Sequence, residues 1–175
     1  MPMFSGLGAL AVCEALEKLG LHPEIKWPND ILLNRLKVCG ILAESVWIGE
    51  KVDSIVLGIG VNVKPESVPP PERVDYPATS LEMVVGKSVD RLSLLRDILL
   101  ALFHWRRLLT KEAFILTWGN KLCFRGEQVE IRAGGEGSKT GELEGLGPDG
   151  SLWLRSQNGQ SFTVQFGEVH LRPVL

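Results

Sequence analysis

At 175 residues with 45% apolar side chains, the chain is long enough for one domain with a full core, or one domain plus a small appendage. Nineteen basic against 21 acidic residues leave a net charge of −2, which excludes a protein that holds nucleic acid or an anionic membrane by charge alone. No apolar run reaches the ~18 residues of a membrane span and Met1-Pro2-Met3-Phe4-Ser5 lacks the basic start of a signal peptide, so a cytoplasmic protein is expected.

Leu7, Leu10, Ala11, Ala15, Leu16 and Leu19 recur at helical spacing, Glu14 and Lys18 can pair at i,i+4, and Gly20 stops the run, so an amphipathic helix is predicted almost from the first residue. Cys13, Cys39 and Cys123 have neither C-x-x-C nor zinc spacing and are expected as buried thiols. After the breaker His22-Pro23, Glu24 to Trp27 reads as a short strand and Pro28-Asn29-Asp30 as a turn. Ile31 to Leu33 and Val38 to Trp47 follow as strands around a turn at Asn34-Arg35.

The segment Val52 to Val63 carries the most informative pattern. Ile55, Leu57, Ile59, Val61 and Val63 share one face of a strand, leaving Val56, Gly58, Gly60 and Asn62 on the other. Two glycines at i,i+2 weaken a strand and need a reason, either close approach of a ligand or a tight sheet-on-helix contact. Pro65 to Pro77 holds five of the ten prolines and is a surface loop. Thr79-Ser80-Leu81-Glu82 has capping-box spacing with Thr79 as N-cap, and Asp90 caps a longer helix with the stripe Leu92, Leu95, Leu99, Leu102 and Leu109. A further helix is predicted over Lys111 to Trp118, ending at Gly119.

From Asn120 the texture changes to five short strands, centred on Val129–Arg132, Gly141–Leu146, Leu152–Arg155, Phe162–Gln165 and Val169–Arg172, with turns at Gly134-Gly135, Pro148-Asp149-Gly150 and Asn158-Gly159. These make a small SH3-like β-barrel behind a domain boundary near Gly119, giving an α+β fold with residues 1–119 and 120–175 as its two parts.

His22, His104 and His170 sit beside a proline, in a leucine-rich helix and in a terminal strand, so a nucleophilic triad has no support, and no two His or Cys lie at metal-ligand spacing. What remains is Lys26 to Asp30, Lys37 with Gly40, and the Gly58/Gly60/Asn62 face. Together they suggest an anion site: a carboxylate for Mg²⁺, a lysine for a phosphate or carboxylate, and a flat glycine floor. A turn acid and a surface lysine would give the same residues without that chemistry.

The run Lys26-Trp27-Pro28-Asn29-Asp30, then Lys37-Val38-Cys39-Gly40-Ile41-Leu42, then Gly58-Ile59-Gly60-Val61-Asn62, closely resembles the biotin protein ligases, as do Ala78-Thr79-Ser80-Leu81 and Gly167 to Arg172. The lipoate ligases share that fold but not this string. The resemblance implies a class II synthetase-like mixed sheet with packed helices, followed by the barrel. It also implies an ATP-dependent enzyme that makes biotinyl-5′-AMP and passes biotin to a lysine of a carboxylase's carrier domain. A non-catalytic paralogue that binds nucleotide or a partner is the alternative.

By resemblance, Lys37 is the catalytic residue, holding the biotin carboxylate and the α-phosphate, with Gly40, Gly58 and Gly60 lining the biotin and adenylate pocket. Asn29 and Asp30 would face the triphosphate, Asp30 with its Mg²⁺, while Asn62, Ala78, Thr79, Ser80, Glu168 and Arg172 would serve ATP. Homodimerisation through the sheet is expected, with no nucleic-acid or membrane partner. Family members carry, before the helix that contains Leu7, a Gly-Arg-rich loop that closes over the adenylate. No Gly-Arg-Gly string occurs in this sequence, so residues 1–175 by themselves are expected to lack that segment and to turn over slowly.

Overall fold

The computed structural model describes residues 2–74, 76–133, 138–165 and 169–173. Helix α1 spans Pro2–Glu17, and all of Ser5 to Leu16 except Glu14 is buried, so the helix is embedded on most sides rather than amphipathic. Its glycines make this possible. A Cβ on Gly8 would come within 3.0 Å of Ile41 and 3.3 Å of Leu57, and one on Gly6 within 2.6 Å of the Trp118 ring. The expected Glu14–Lys18 pair gives way to longer-range partners: Glu14 accepts from Trp105 Nε1 at 2.8 Å and Lys18 Nζ lies 3.9 Å from Asp97.

Four strands follow, β1 (Glu24–Lys26), β2 (Asp30–Leu33), β3 (Leu36–Ile48) and β4 (Lys51–Val61), forming one sheet in the order β1-β2-β3-β4. The strand pairs are antiparallel, so the mixed sheet expected from the resemblance is represented among the described residues by antiparallel ladders plus two single parallel bridges, Ile25↔Leu122 and Lys37↔Ala78. The period-2 reading of β4 holds: Ile55, Leu57, Ile59 and Val61 are half-buried, while Val56, Gly58 and Gly60 are exposed. Packing of Gly8 on Ile41 and Leu57 puts α1 against the bulky face. The glycine face points away from it.

The loop from Pro65 contains two single 3₁₀ turns, Pro65–Ser67 and Pro71–Arg73. Helix α2 (Leu81–Val85) starts one residue later than the capping box implies. Ser80, not Thr79, is the N-cap, its hydroxyl accepting from Met83 N, and Glu82 turns away to accept from Val89 N. Asp90 does cap helix α3 (Arg91–Leu108). The face of α3 differs from the expected stripe: Leu94, Ile98 and Ala101 are buried, whereas Leu92 is 77% exposed and Leu95 and Leu99 are also exposed. A leucine-rich helix offers two apolar stripes about one position apart, and the face that packs is the one whose Trp105 and Asp97 also meet Glu14 and Lys18 of α1. Helix α4 runs Glu112–Asn120 and buries Phe114 and Trp118.

Strands β5 (Gln128–Ala133), β6 (Ser138–Leu146), β7 (Leu152–Arg155), β8 (Ser161–Val164) and β9 (Val169–Pro173) form a second antiparallel sheet, ordered β8-β7-β6-β5-β9. These are the strands expected for the barrel, and among the described residues no β8–β9 pairing closes it. The expected turn at Gly134-Gly135 lies outside the described residues. The class is α+β, with one cluster of buried apolar side chains running from α1 and the first sheet into Val129, Ile131, Leu143, Leu152 and Leu154 of the second.

Two polar contacts among the described residues help join the sheets. Gly150, at φ +81°, lies against Trp118 so closely that a Cβ would sit 2.9 Å from the ring, and its carbonyl accepts from Trp27 Nε1 at 3.1 Å. At the β2–β3 turn, Asn34 and Arg35 both take positive φ, 51° and 64°, which costs a non-glycine residue about 1 kcal/mol or more. Arg35 offsets this with a two-pronged pair to Glu127, at 2.5 and 3.1 Å, and by lying 4.6 Å over the Phe124 ring. Hydrogen bonding to Arg35 holds the Glu127 carboxyl below its ordinary range. A lowered folded-state value means the clip stabilises above the unfolded glutamate value of ~4.3 and is lost as pH falls through the lower one. Glu127→Gln should flatten the stability of the chain between about pH 5 and 3 relative to wild type, by no more than ~1 kcal/mol because the pair is half exposed. Urea titrations at the two pH values would check it, and identical pH slopes for both proteins would refute it.

Candidate functional site

Odd spacing along a strand puts Lys37 and Gly40 on opposite faces of β3. The register shifts between Ile31 and Leu32, which pair with Cys39 and Lys37, leaving Val38 as an extra residue. This bulge returns Lys37 to the glycine face. A Cβ on Gly40 would lie 3.4 Å from Lys37 Cε and Nζ and 3.7 Å from Asp30 Oδ1. Asp30 pairs directly with Gly40, and Gly40 with Gly60, while Leu42 faces Gly58. Asn29, Asp30, Lys37, Gly40, Ile41, Leu42, Gly58, Ile59 and Gly60 thus line one open groove of about 500 Å³.

The glycine floor is open among the described residues. Added Cβ atoms on Gly58 and Gly60 would meet only Leu42 and the Gly40 carbonyl, at 3.7 Å and 3.9 Å, which is ordinary contact. Among the described residues no packed element stands over Gly58 or Gly60, whereas the tight helix contact is made by Gly6 and Gly8 of α1 instead.

Charge is concentrated at one end of the groove. Asp30 is buried, with Lys37 Nζ 2.5 Å from Oδ1 and Lys26 Nζ 3.2 Å from Oδ2. Lys37 is the accessible member, its side chain 36% exposed against 9% for Lys26. Two ammonium groups on one carboxylate leave a net positive end, suited to an anionic ligand group. The arrangement does not fit a protein-held Mg²⁺: both Asp30 oxygens already face cations, and among the described residues no three His, Cys, Asp or Glu gather as a metal site.

The remaining predicted site residues fall around this centre in distinct ways. Asn29 donates its side-chain amide to Ile41 O at 2.8 Å, and Ile41 N donates back to Asn29 O, so Asn29 brackets β3. Asn62 donates to Thr79 O at 3.1 Å, while Lys37 N donates to Pro77 O and Thr79 N to Lys37 O. The 77–80 segment therefore runs beside Lys37, with Ala78 half-buried and the Thr79 and Ser80 side chains buried. Glu168 lies outside the described residues. Arg172 is placed by its backbone, opposite Glu130 on β5. His22 and His104 are not among the groove residues, and His104 stacks edge-on against Trp105.

Two residues received no role from the sequence. Lys26 was visible only as the first letter of a motif, yet it sits four residues from Asp30 and holds its second oxygen. Tyr76, the chain's single tyrosine, closes over it with Lys26 Nζ 5.1 Å from the ring centroid. All three cysteines are buried and free, as expected, and burial pushes the Cys39 and Cys123 thiols up to about 12. Native protein should consequently resist iodoacetamide at pH 8 and alkylate at all three positions in urea, a difference readable by mass spectrometry.

Comparison with known proteins bears on the whole arrangement. A profile of the biotin/lipoate A/B protein ligase family matches residues 1–62. A biotin–acetyl-CoA-carboxylase ligase of Paracoccus denitrificans is 34% identical over 172 residues, covering 89% of this chain and 68% of the relative. The chain belongs to the biotin protein ligase family. The bifunctional ligase/repressor BirA of Bacillus spizizenii is 33% identical over 162 residues, and the chain spans about half the length of that curated relative, 50%. Among solved structures, the biotin protein ligase of Aquifex aeolicus in complex with biotin and ATP matches with a TM-score of 0.84 at 30% identity, over 99% of this chain and 72% of that one. Among the described residues, no helix is long and apolar enough to cross a membrane.

Proposed function

We propose that this chain joins biotin to ATP as biotinyl-5′-AMP and passes the biotin to a lysine of a carboxylase's biotin carboxyl carrier domain. The observation that carries this reading is Lys37, held by Asp30 at the edge of a three-glycine floor within a fold shared with a ligase solved with biotin and ATP. In the first step a biotin carboxylate oxygen attacks the α-phosphorus, the bond to the β-phosphate oxygen breaks, and pyrophosphate leaves. In the second the carrier lysine's amine attacks the acyl carbon, an amide forms, and AMP leaves with the electron pair of the acyl–oxygen bond.

Lys37 Nζ supports both steps by opposing charge on the carboxylate and α-phosphate oxygens. Gly40, Gly58 and Gly60 let a flat ligand lie on the backbone, and Asn62 with Ala78, Thr79 and Ser80 borders the nucleotide end. Mg²⁺ enters as part of the Mg·ATP substrate. Glu168 and Arg172 support the nucleotide from the C-terminal part, residues 120–175, which adjoins the catalytic part, residues 1–119. Edge strand β4 has no neighbour beyond it among the described residues, which supports a second copy joining through the sheet.

The test supplies biotin, α-labelled ATP, Mg²⁺ and a carrier domain and follows both labelled biotinyl-5′-AMP and biotinylated carrier. Biotin-dependent adenylate supports the reading. Nucleotide binding with no biotin-dependent adenylate, under any order of addition and over incubations long enough to register slow turnover, overturns it in favour of the non-catalytic paralogue.

A further inference from the structure

The contacts around Lys37 form a closed circuit. Its backbone is gripped on both sides by the segment after Tyr76, through Pro77 O and Thr79 N. Tyr76 lays its ring on the Lys26 ammonium, Lys26 holds Asp30 Oδ2, and Asp30 Oδ1 holds Lys37 Nζ. Resting on the ligase reading above, we propose that Tyr76, acting through Lys26, is a positioning residue that aligns Lys37 with the groove and couples it to the 77–80 segment.

The chemistry favours this over simple filling of space. A lysine ammonium buried to 9% exposure needs its protons matched, and Asp30 Oδ2 at 3.2 Å supplies one partner only. An aromatic face within about 6 Å supplies a second without a competing anion, so Asp30 stays shared between the two lysines rather than drawn wholly to Lys26. With the ring gone, Lys26 is free to swing toward water or to take both carboxylate oxygens, and Lys37 loses its fixed partner. The segment that brings the ring is also the one whose backbone fixes Lys37, so movement at 77–80 and movement at the ammonium are mechanically one event.

The circuit can be tested on the 175-residue chain without ligand. In ¹³C,¹⁵N-lysine spectra the Lys26 side chain should show ring-current-shifted ε-protons, and Lys37 one sharp set of ε-methylene signals displaced by its pair with Asp30. Tyr76→Phe keeps the ring and should preserve both, whereas Tyr76→Leu should abolish the Lys26 shift and broaden the Lys37 signal while the melting temperature stays within a few degrees. Lys26→Arg, which retains the cation, should rescue more of the Lys37 signal than Lys26→Met. An unchanged Lys37 signal in Tyr76→Leu overturns the proposal. Titration with biotinyl-5′-AMP adds the functional arm, in which Tyr76→Leu should bind roughly three- to tenfold more weakly and Tyr76→Phe like wild type. If wild type binds no adenylate, the ligase reading fails, and the lysine spectra still decide the positioning role.

Discussion

Lys37→Ala should lower the rate of biotinyl-5′-AMP formation by ~10²–10³-fold, the usual effect of removing one preorganised group aimed at developing charge. Lys37 is the one cation of the Lys26–Asp30–Lys37 set with substantial access to the groove, and it stands beside the glycine floor, where the proposed reaction would need a cation to oppose charge on the carboxylate and α-phosphate. Alanine removes the charge but leaves Asp30 paired with Lys26, so folding should survive. Lys37→Arg keeps the charge but moves it and broadens it, and should recover only part of the rate. Single-turnover adenylate formation, with binding of ATP measured separately, separates the effect from lost affinity. Wild-type kinetics in Lys37→Ala would return the residue to the status of a surface lysine facing a turn acid. Asp30→Asn has a different signature. It leaves two close ammonium groups without their shared counter-ion, so a loss of stability of ~3 kcal/mol should accompany any loss of ATP use.

The sheet and its faces were legible because burial on a strand has period two, and β4 obeys it from Ile55 to Val61. Asp90 was legible as a cap because its side chain has a local task with a fixed spacing. Less visible was anything decided by distant contacts. The exposed stripe of α3 carries more leucines than its buried one, and the face that packs is joined to α1 by contacts distant in sequence, among them Glu14 with Trp105, 91 residues apart, and Lys18 with Asp97. The bulge that turns Lys37 toward Gly40 is a pairing irregularity with no sequence sign of its own. The motif residues were recognisable by resemblance, but their wiring was not. Asn29 and Asn62 point their amides at backbone carbonyls, and Tyr76 reaches Lys26 across 50 positions.

Gly6→Val and Gly60→Val should have opposite consequences, which separates glycine kept for packing from glycine kept for a ligand. At Gly6 the first added carbon would sit 2.6 Å from Trp118, whose ring is fully buried, stacked edge-on with Phe114 at 6.1 Å and pressed by Gly150 from the second sheet. The ring has nowhere to go, and moving it would unseat the contact joining the two sheets. Overpacking of this kind costs about 3 kcal/mol, which for a chain of this size lowers the melting temperature by roughly 6–12 °C. At Gly60 the first carbon would meet only the Gly40 carbonyl at 3.9 Å, on an exposed strand face where valine is favoured, so stability should hold or rise slightly. The same side chain would stand in the floor of the groove, and affinity for biotinyl-5′-AMP should fall by at least ~100-fold, about 2.7 kcal/mol. Paired calorimetric melts and adenylate titrations on the two variants give both quantities. Unfolding of Gly60→Val, or wild-type adenylate binding by it, would mean that the glycines at 58 and 60 serve the sheet and not a ligand.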